Sequence, residues 1–167
     1  MTLISYSSRI HFADGVLEEA LRSEMEARRN ARPLIVTLET NLEDETIALV
    51  LTGLPLKSSA HFFHDVREIA TEYAAAAIAR YYRTSDRDCL IAVGGARTID
   101  LAKISRFEIA QDGALRTCSN FQSAKESSVQ GLPNFYAVPD TLGLAAAVSP
   151  HVAVILSGGE SSRLTTS

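Results

Sequence analysis

The chain has 167 residues and a formal net charge of −4, and 46% of its residues are hydrophobic. This length and composition are typical of one globular domain with its own core. The acidic balance argues against a nucleic-acid-binding protein, and no apolar run approaches the roughly 20 residues that cross a bilayer. The N-terminus has no signal-peptide pattern, and Cys89 and Cys118 have no metal or redox spacing. We therefore expect a cytoplasmic protein.

The first half of the chain is predicted to contain three stretches of strand and two helices. Residues 3–12 alternate in polarity, which predicts one or two short strands at a sheet edge. A helix is predicted over residues 14–29, since acidic residues lie in its first turn and an apolar stripe follows. Apolar runs predict strands at residues 34–38 and 46–51, and a second stripe predicts a long helix over residues 58–82.

Two groups of polar residues in this half are candidate ligands. Glu39 follows the strand at 34–38, and sheets of this kind bind their ligands at the carboxyl ends of the strands. It is thus a candidate for hydrogen-bonding a ribose hydroxyl, with a solvated loop acid as the alternative. His61 and His64 are three residues apart on the predicted helix. Two histidines without a third ligand do not make a dedicated site, so no metal is expected in this chain.

The most informative stretch begins with the unbroken apolar run at residues 89–93, which is typical of a strand buried on both faces. Gly94 and Gly95 follow it, and from Thr98 onward the apolar residues have helical spacing. Such a strand–glycine–helix turn lets the backbone approach an anion, which the helix N-terminus attracts. Two glycines alone leave open a purely structural turn.

The rest of the chain contains two further predicted strands, at residues 134–138 and 152–156. Residues 111–131 are polar and predict a surface loop around a short helix. The alternation of strands and helices predicts an α/β fold, a three-layer Rossmann-like parallel sheet with an N-terminal edge strand or hairpin. We expect one domain over residues 1–156 and, from its serines and glycines, a flexible tail over residues 157–167.

Two separated segments resemble motifs of the iron-containing alcohol dehydrogenases, a superfamily that includes maleylacetate reductases and glycerol dehydrogenases. Residues 94–103, Gly-Gly-Ala-Arg-Thr-Ile-Asp-Leu-Ala-Lys, resemble its Gly-Gly-Gly-Ser-x-x-Asp-x-Ala-Lys motif. Residues 132–143 are similar to its Pro-x-x-x-Val-Pro-Thr-Thr-x-Gly segment. The resemblance covers the chain from its first strand to about residue 155, and corresponds to the N-terminal nucleotide-binding domain of the family.

The resemblance implies that this domain binds NAD or NADP. The pyrophosphate would lie on the glycine turn, and the Asp and Lys of the motif would face the ribose and nicotinamide end. The acid that often reads the adenosine ribose aligns with Leu38, one place before Glu39. The cofactor-binding residues implied in this way are Gly94, Gly95, Ala96, Arg97, Asp100, Lys103, Asp140, Thr141 and Glu39.

The sequence also departs from the family pattern at several of these positions. Ala96 replaces the third glycine, Arg97 the serine and Asp140 the first threonine, and three alanines at 145–147 replace Gly-Ser-Glu. Arg97 offers a phosphate contact of its own or is a solvated arginine at a helix start. These departures support a second hypothesis, a non-catalytic nucleotide-binding or protein-interaction module that kept the fold and lost the chemistry.

The resemblance ends where the family's helical, metal-binding domain begins. We therefore expect no catalytic residue in this chain, and hydride transfer between an alcohol or aldehyde and nicotinamide would need the full architecture. The surface left for the missing domain predicts docking to such a domain or homo-oligomerisation. A third hypothesis is a relative that acts on a phosphorylated polyol or a dehydroquinate precursor.

Overall fold

A four-stranded parallel sheet forms the centre of the computed structural model, which describes residues 9–66, 71–110, 131–140, 144–149, 151–155 and 161–165. Its helices and strands are α1 (Leu17–Ala27), β1 (Pro33–Val36), α2 (Glu45–Thr52), β2 (His61–Phe63), α3 (Glu72–Thr84), β3 (Cys89–Val93), α4 (Ala96–Ala110), β4 (Asn134–Val138), α5 (Leu144–Val148), β5 (His151–Ile155) and β6 (Ser161–Thr165), with a 3-10 turn at Glu39–Asn41.

The strand order in the sheet is β2-β1-β3-β4, and every neighbouring pair is parallel. The central strands β1 and β3 are buried along their whole length. Helices cover both faces of the sheet, as buried apolar runs in parallel strands require. The predicted three-layer α/β fold is thus confirmed.

Two apolar clusters occupy the two faces. Side chains of α3 and α4 pack on one face, against alternate residues of β1 and β3 such as Leu34 and Leu90. Side chains of α1 and α2 pack on the other face, against the intervening residues such as Ile35 and Ile91. The strands therefore alternate their side chains between two separate cores.

The connections leave the centre of the sheet in opposite directions. After β1 the chain passes through α2 on one face to reach β2, whereas after β3 it passes through α4 on the other face to reach β4. The carboxyl ends of β1 and β3 are adjacent. Because the connections that follow these two strands run in opposite directions, the strand order reverses between them. Such a topological switch point is where open α/β sheets bind ligands.

The predicted strand at residues 46–51 is wrong, because this segment forms α2. Ile47 and Val50, three residues apart, are buried, while Ala48 and Leu51 are exposed. That spacing is the period of a helix with one buried face. A short apolar run of β-branched residues does not distinguish a strand from a helix by periodicity alone.

The predicted long helix over residues 58–82 is also wrong in its first part. Its beginning contains β2, which pairs with β1 through Leu34↔His61 and Val36↔Phe63. The helix α3 starts only after Thr71, whose side chain accepts a hydrogen bond from the Ala74 amide and so caps it. His61 and His64 therefore do not share a helix face; residues 67–70 lie outside the described residues.

At the two ends of the chain the structure differs from prediction. Residues 9–12 have no regular secondary structure, and the remainder of the predicted N-terminal strand lies outside the described residues. β5 lies within one residue of its predicted position, but it pairs antiparallel with β6 in a separate two-stranded sheet. β6 falls within the predicted tail, where backbone pairing with β5 makes a strand of a serine-rich segment whose composition predicts none. Of the predicted loop at 111–131, all but Gly131 lies outside the described residues.

The helices of the described part of the chain include none that is both long and apolar enough to span a membrane.

Candidate functional site

The candidate site is the glycine turn between β3 and α4, at the switch point of the sheet. Gly94 has φ +144°, a conformation that residues with a side chain rarely adopt. A Cβ at this position would lie 3.0 Å from Thr98 Oγ1 and 3.2 Å from Thr98 Cβ. Both the backbone conformation and the space therefore favour glycine, and the chain passes directly from a buried strand into a helix.

The N-terminus of α4 is open to solvent at this turn. The Gly94 amide donates to Val138 O at 3.1 Å, and the Ile99 amide donates to Gly95 O at 3.2 Å as the first helical bond. The amides of the first turn before Ile99 have no carbonyl behind them within the helix. Ala96 and Arg97 are exposed, and the first turn contains no acidic residue. This 15-residue helix therefore presents amide donors and its positive dipole end at an open position that suits an anion.

The loops after β1 and β4 meet beside the turn. The Asp140 amide approaches Gly94 O at 3.4 Å, and Asn41 Nδ2 donates to Asp140 Oδ2 at 2.8 Å. Asn41 lies in the 3-10 turn that also contains Glu39. The structure thus brings Glu39, Asp140 and the glycine turn to one edge of the sheet; Thr141 lies outside the described residues.

A cavity of about 410 Å³ opens at the carboxyl ends of β1 and β2, and its volume lies in the range of small-molecule sites. Its lining residues are Leu38, Glu39, Thr40, His64, Asp65 and Val66. Thr37, at the end of β1, is fully buried, and its hydroxyl has no partner among the described residues. Sequence reasoning missed Thr37 and Asn41. It also missed the second wall of the cavity, because it placed residues 61–66 in a helix.

Asp100 and Lys103, the other implied cofactor residues, lie further along α4. Burial raises the pKa of the Asp100 carboxyl, and one of its oxygens has no partner among the described residues. Lys103 is buried, which lowers the pKa of its amine, and Nζ donates to Ala146 O and, at 2.7 Å, to Ser149 O. The structure therefore pairs Lys103 with the α5 segment, and a cofactor contact by either residue stays a prediction.

His61 and Cys89 have structural surroundings. Tyr81 Oη lies 3.3 Å from His61 Nδ1, which connects α3 to β2. In the part of the chain that the structure describes, no three His, Cys, Asp or Glu side chains cluster as metal ligands would. Burial raises the pKa of the Cys89 thiol well above its usual range, so this cysteine is a core residue and a poor nucleophile.

Comparison with known proteins identifies a family. The sequence model of the family described as "Iron-containing alcohol dehydrogenase" matches residues 7–166. A 4-hydroxybutyrate dehydrogenase of Cupriavidus necator is 28% identical over 159 residues, which are 95% of this chain and 41% of that protein.

Solved structures with this fold have lower sequence identity. A sulfoacetaldehyde reductase from Bifidobacterium kashiwanohense, solved in complex with NAD+, has a TM-score of 0.80 at 16% identity and covers 99% of this chain and 44% of its own. An iron-containing alcohol dehydrogenase from Thermococcus thioreducens has a TM-score of 0.79 at 18% identity, covering 98% and 43%. At such identity these likenesses show the fold alone, and this chain spans less than half the length of each relative named here.

Proposed function

The chain belongs to the iron-containing alcohol dehydrogenase family, and from that membership we propose that it is the NAD(P)-binding domain of a dehydrogenase or reductase. One observation carries the proposal: a turn whose Gly94 backbone conformation and surroundings favour glycine leads into an open helix N-terminus at the switch point of the sheet. A bound nicotinamide would supply the hydride acceptor or donor. The domain would bind and orient it.

Two parts of the dinucleotide, the pyrophosphate and the adenosine half, would have counterparts at this edge of the sheet. The first-turn amides of α4 would hold the pyrophosphate, and the exposed guanidinium of Arg97 would add a charge-assisted contact. The cavity at the ends of β1 and β2 would take the adenosine half, with the exposed carboxylate of Glu39 accepting a ribose hydroxyl. The NAD+ complex of the Bifidobacterium sulfoacetaldehyde reductase, which has the same fold, supports a nicotinamide dinucleotide as the ligand.

The charges at the site favour NAD over NADP. Proteins that take a ribose 2′-phosphate commonly place an arginine beside it. The six described residues that line the cavity include Glu39 and Asp65 but no lysine or arginine. A 2′-phosphate beside Glu39 would therefore meet a carboxylate that repels it, whereas a 2′-hydroxyl would meet a hydrogen-bond acceptor.

The reaction of the whole protein is proposed from the relatives' names. They include a 4-hydroxybutyrate dehydrogenase and a sulfoacetaldehyde reductase, which point to hydride transfer between a small alcohol or aldehyde and nicotinamide. Groups outside the described residues would polarise the substrate oxygen, since these residues hold no cluster of metal-ligating side chains. A helical domain or a second copy of the chain would cover the site.

The test is calorimetric titration of the chain with NAD+, NADH and NADP+. We expect saturable binding, with NADP+ weaker than NAD+ by about tenfold or more. The variant Ala96→Asp adds a carboxylate at the first, exposed position of α4, where it suits the helix dipole but repels pyrophosphate. It should weaken binding by about tenfold or more.

Ala77→Asp is the matched control, because it adds the same charge at an exposed position within α3. It should bind as the wild type does. If the folded wild-type chain does not bind at millimolar cofactor, the proposal is wrong. Equal weakening by both aspartates would mean that the α4 turn does not hold the phosphates.

A further inference from the structure

A buried lysine joins the middle of α4 to the segment that follows β4. Lys103 is 4% exposed. Its Nζ donates to the carbonyl of Ala146, inside α5, and at 2.7 Å to the carbonyl of Ser149, the residue after the last one of α5. Among the described residues, this amine thus donates its hydrogen bonds to two backbone carbonyls, one within a short helix and one directly after it.

These contacts supply what α5 lacks by itself. A helix of five residues is too short to be stable in isolation. The last carbonyls of any helix have no intrahelical donor, and a cation at this end is favoured by the helix dipole. Ala146 and Ala147 add modest apolar contact with the core on the α4 face of the sheet. The lysine therefore attaches α5 and the residue after it to the domain through two charge-assisted hydrogen bonds.

The position of α5 bears directly on the glycine turn. Asp140, whose amide approaches Gly94 O, is separated from Leu144 by three residues. The chain after β4 is consequently attached at two places, to the turn itself through Asp140 and to the body of α4 through Lys103. A shift of α5 would be transmitted over a very short length of chain to the loop beside the turn.

We propose that Lys103 is a positioning residue: it holds α5 against α4 and so keeps Asp140 beside the glycine turn, without contacting the cofactor. The attachment of α5 to α4 is a property of the free chain and needs no ligand. The effect of this attachment on the loop and on cofactor binding rests on the proposed function.

The test is hydrogen exchange of the free chain, followed peptide by peptide. Lys103→Met keeps an unbranched apolar stem and removes the donors. We expect the amides of residues 144–149 to exchange about tenfold faster or more, since hydrogen bonds to charged groups are among the stronger ones. The amides of α3 and β3 should keep their wild-type protection, which verifies that the variant is folded.

Arg106→Met is the matched control on the same helix. Arg106 is half-buried, its Nε donates to Pro133 O at 3.0 Å, and its guanidinium lies 5.4 Å from the Phe135 ring centre. This substitution removes a similar cation-to-carbonyl bond, but one that leads to the start of β4. Exchange should rise near residues 131–135 and stay at the wild-type level in 144–149.

Every other result of the exchange experiment either supports or overturns the proposed role of Lys103. If Lys103→Met does not fold, the same measurement is made on Lys103→Gln, which keeps a polar head but has neither the charge nor the reach; it should open residues 144–149 in the same way. If residues 144–149 exchange at the wild-type rate in whichever of the two variants folds, the proposal is wrong. Weakened cofactor binding without faster exchange would instead assign Lys103 to the cofactor. Failure of the wild type to bind cofactor would contradict the proposed function and leave the exchange result standing.

Discussion

The two ends of the parallel strands have opposite character. At the amino end of β1, β3 and β4, several polar groups of the chain pair with one another: the Asp88 carboxylate accepts from the Ala31 and Arg32 amides at 2.9 and 3.0 Å. Asn30 Oδ1 accepts from Asn134 Nδ2 at 2.9 Å, and from the Tyr136 hydroxyl at 2.8 Å. Together with the bond from Asn30 Nδ2 to Asp88 O, these contacts connect the residues before β1 and β3 with two side chains of β4.

At the carboxyl end the same three strands lead to groups that the chain leaves open. The first turn of α4 exposes Ala96 and Arg97, the Glu39 side chain is exposed, and the buried Thr37 hydroxyl has no partner among the described residues. Buried polar groups are normally paired where a structure is optimised for stability alone. The comparison therefore supports the proposal that the ligand binds at the carboxyl end, while the paired groups at the amino end stabilise the fold.

The largest stability effect is expected at Asp88. Asp88→Asn keeps the shape of the side chain but replaces one of the accepting oxygens by a donor that faces backbone amides. We expect a loss of about 2 kcal/mol in the free energy of unfolding, measured by urea denaturation. Asp86→Asn is the control, because the Asp86 carboxylate is 83% exposed and its ion pair with Arg32 is 3.4 Å long. The effect of Asp86→Asn should stay below about 0.5 kcal/mol. Equal urea midpoints for the two variants would contradict a stabilising role of the Asp88 hydrogen bonds at the amino end.

A smaller effect, dependent on pH, is expected at Glu24 of α1. Hydrogen bonds from Arg28 and then Arg9 lower the pKa of this carboxyl to about 2, against the opposing effect of burial, and His11 adds a weaker contact. A carboxyl with a lowered folded-state pKa stabilises the fold above its unfolded pKa and loses that contribution as pH falls toward 2. Because Arg9 and Arg28 are largely solvent-exposed, we expect only about 1–2 kcal/mol.

The measurement for Glu24 is urea denaturation at pH 6 and at about pH 3, in the wild type and in Glu24→Gln. The variant should lose most of its deficit relative to the wild type at the lower pH. Glu19→Gln, at an exposed position of the same helix, should behave as the wild type at both. A deficit of Glu24→Gln that is the same at both pH values would show that the carboxylate charge is not what stabilises this region.

The sequence predicts the strand at the centre of the sheet well and the short elements poorly. β3 forms at its predicted residues because a strand buried between neighbours needs an unbroken apolar run, which is a local signal. β4, at one edge of the sheet, also forms at its predicted residues. The short elements α2 and β2 carry no such signal, since their state depends on which neighbour buries them. The contacts of Lys103 and Asn41 span 43 and 99 residues along the chain, so local patterns do not predict them.

The smallest effect on stability, and a clear one on binding, is expected at Asp140. Its carboxylate is exposed, with Asn41 Nδ2 2.8 Å away and the glycine turn adjacent through the Asp140 amide. Asp140→Asn keeps an acceptor for Asn41, so the free energy of unfolding should change by less than about 0.5 kcal/mol. Removing a negative charge beside the proposed phosphate position should raise the affinity for NAD+ about two- to fivefold at low salt, and less at high salt because ions screen exposed charges. Calorimetry at low and at high salt measures the affinity for NAD+, and urea denaturation measures the free energy of unfolding.

The comparison of the two ends predicts the opposite outcome at Asp88, where removing the charge lowers the stability and leaves the affinity of the folded chain unchanged. An affinity that does not respond to Asp140→Asn at low salt would mean that this carboxylate, held by Asn41, lies too far from the phosphates for its charge to matter.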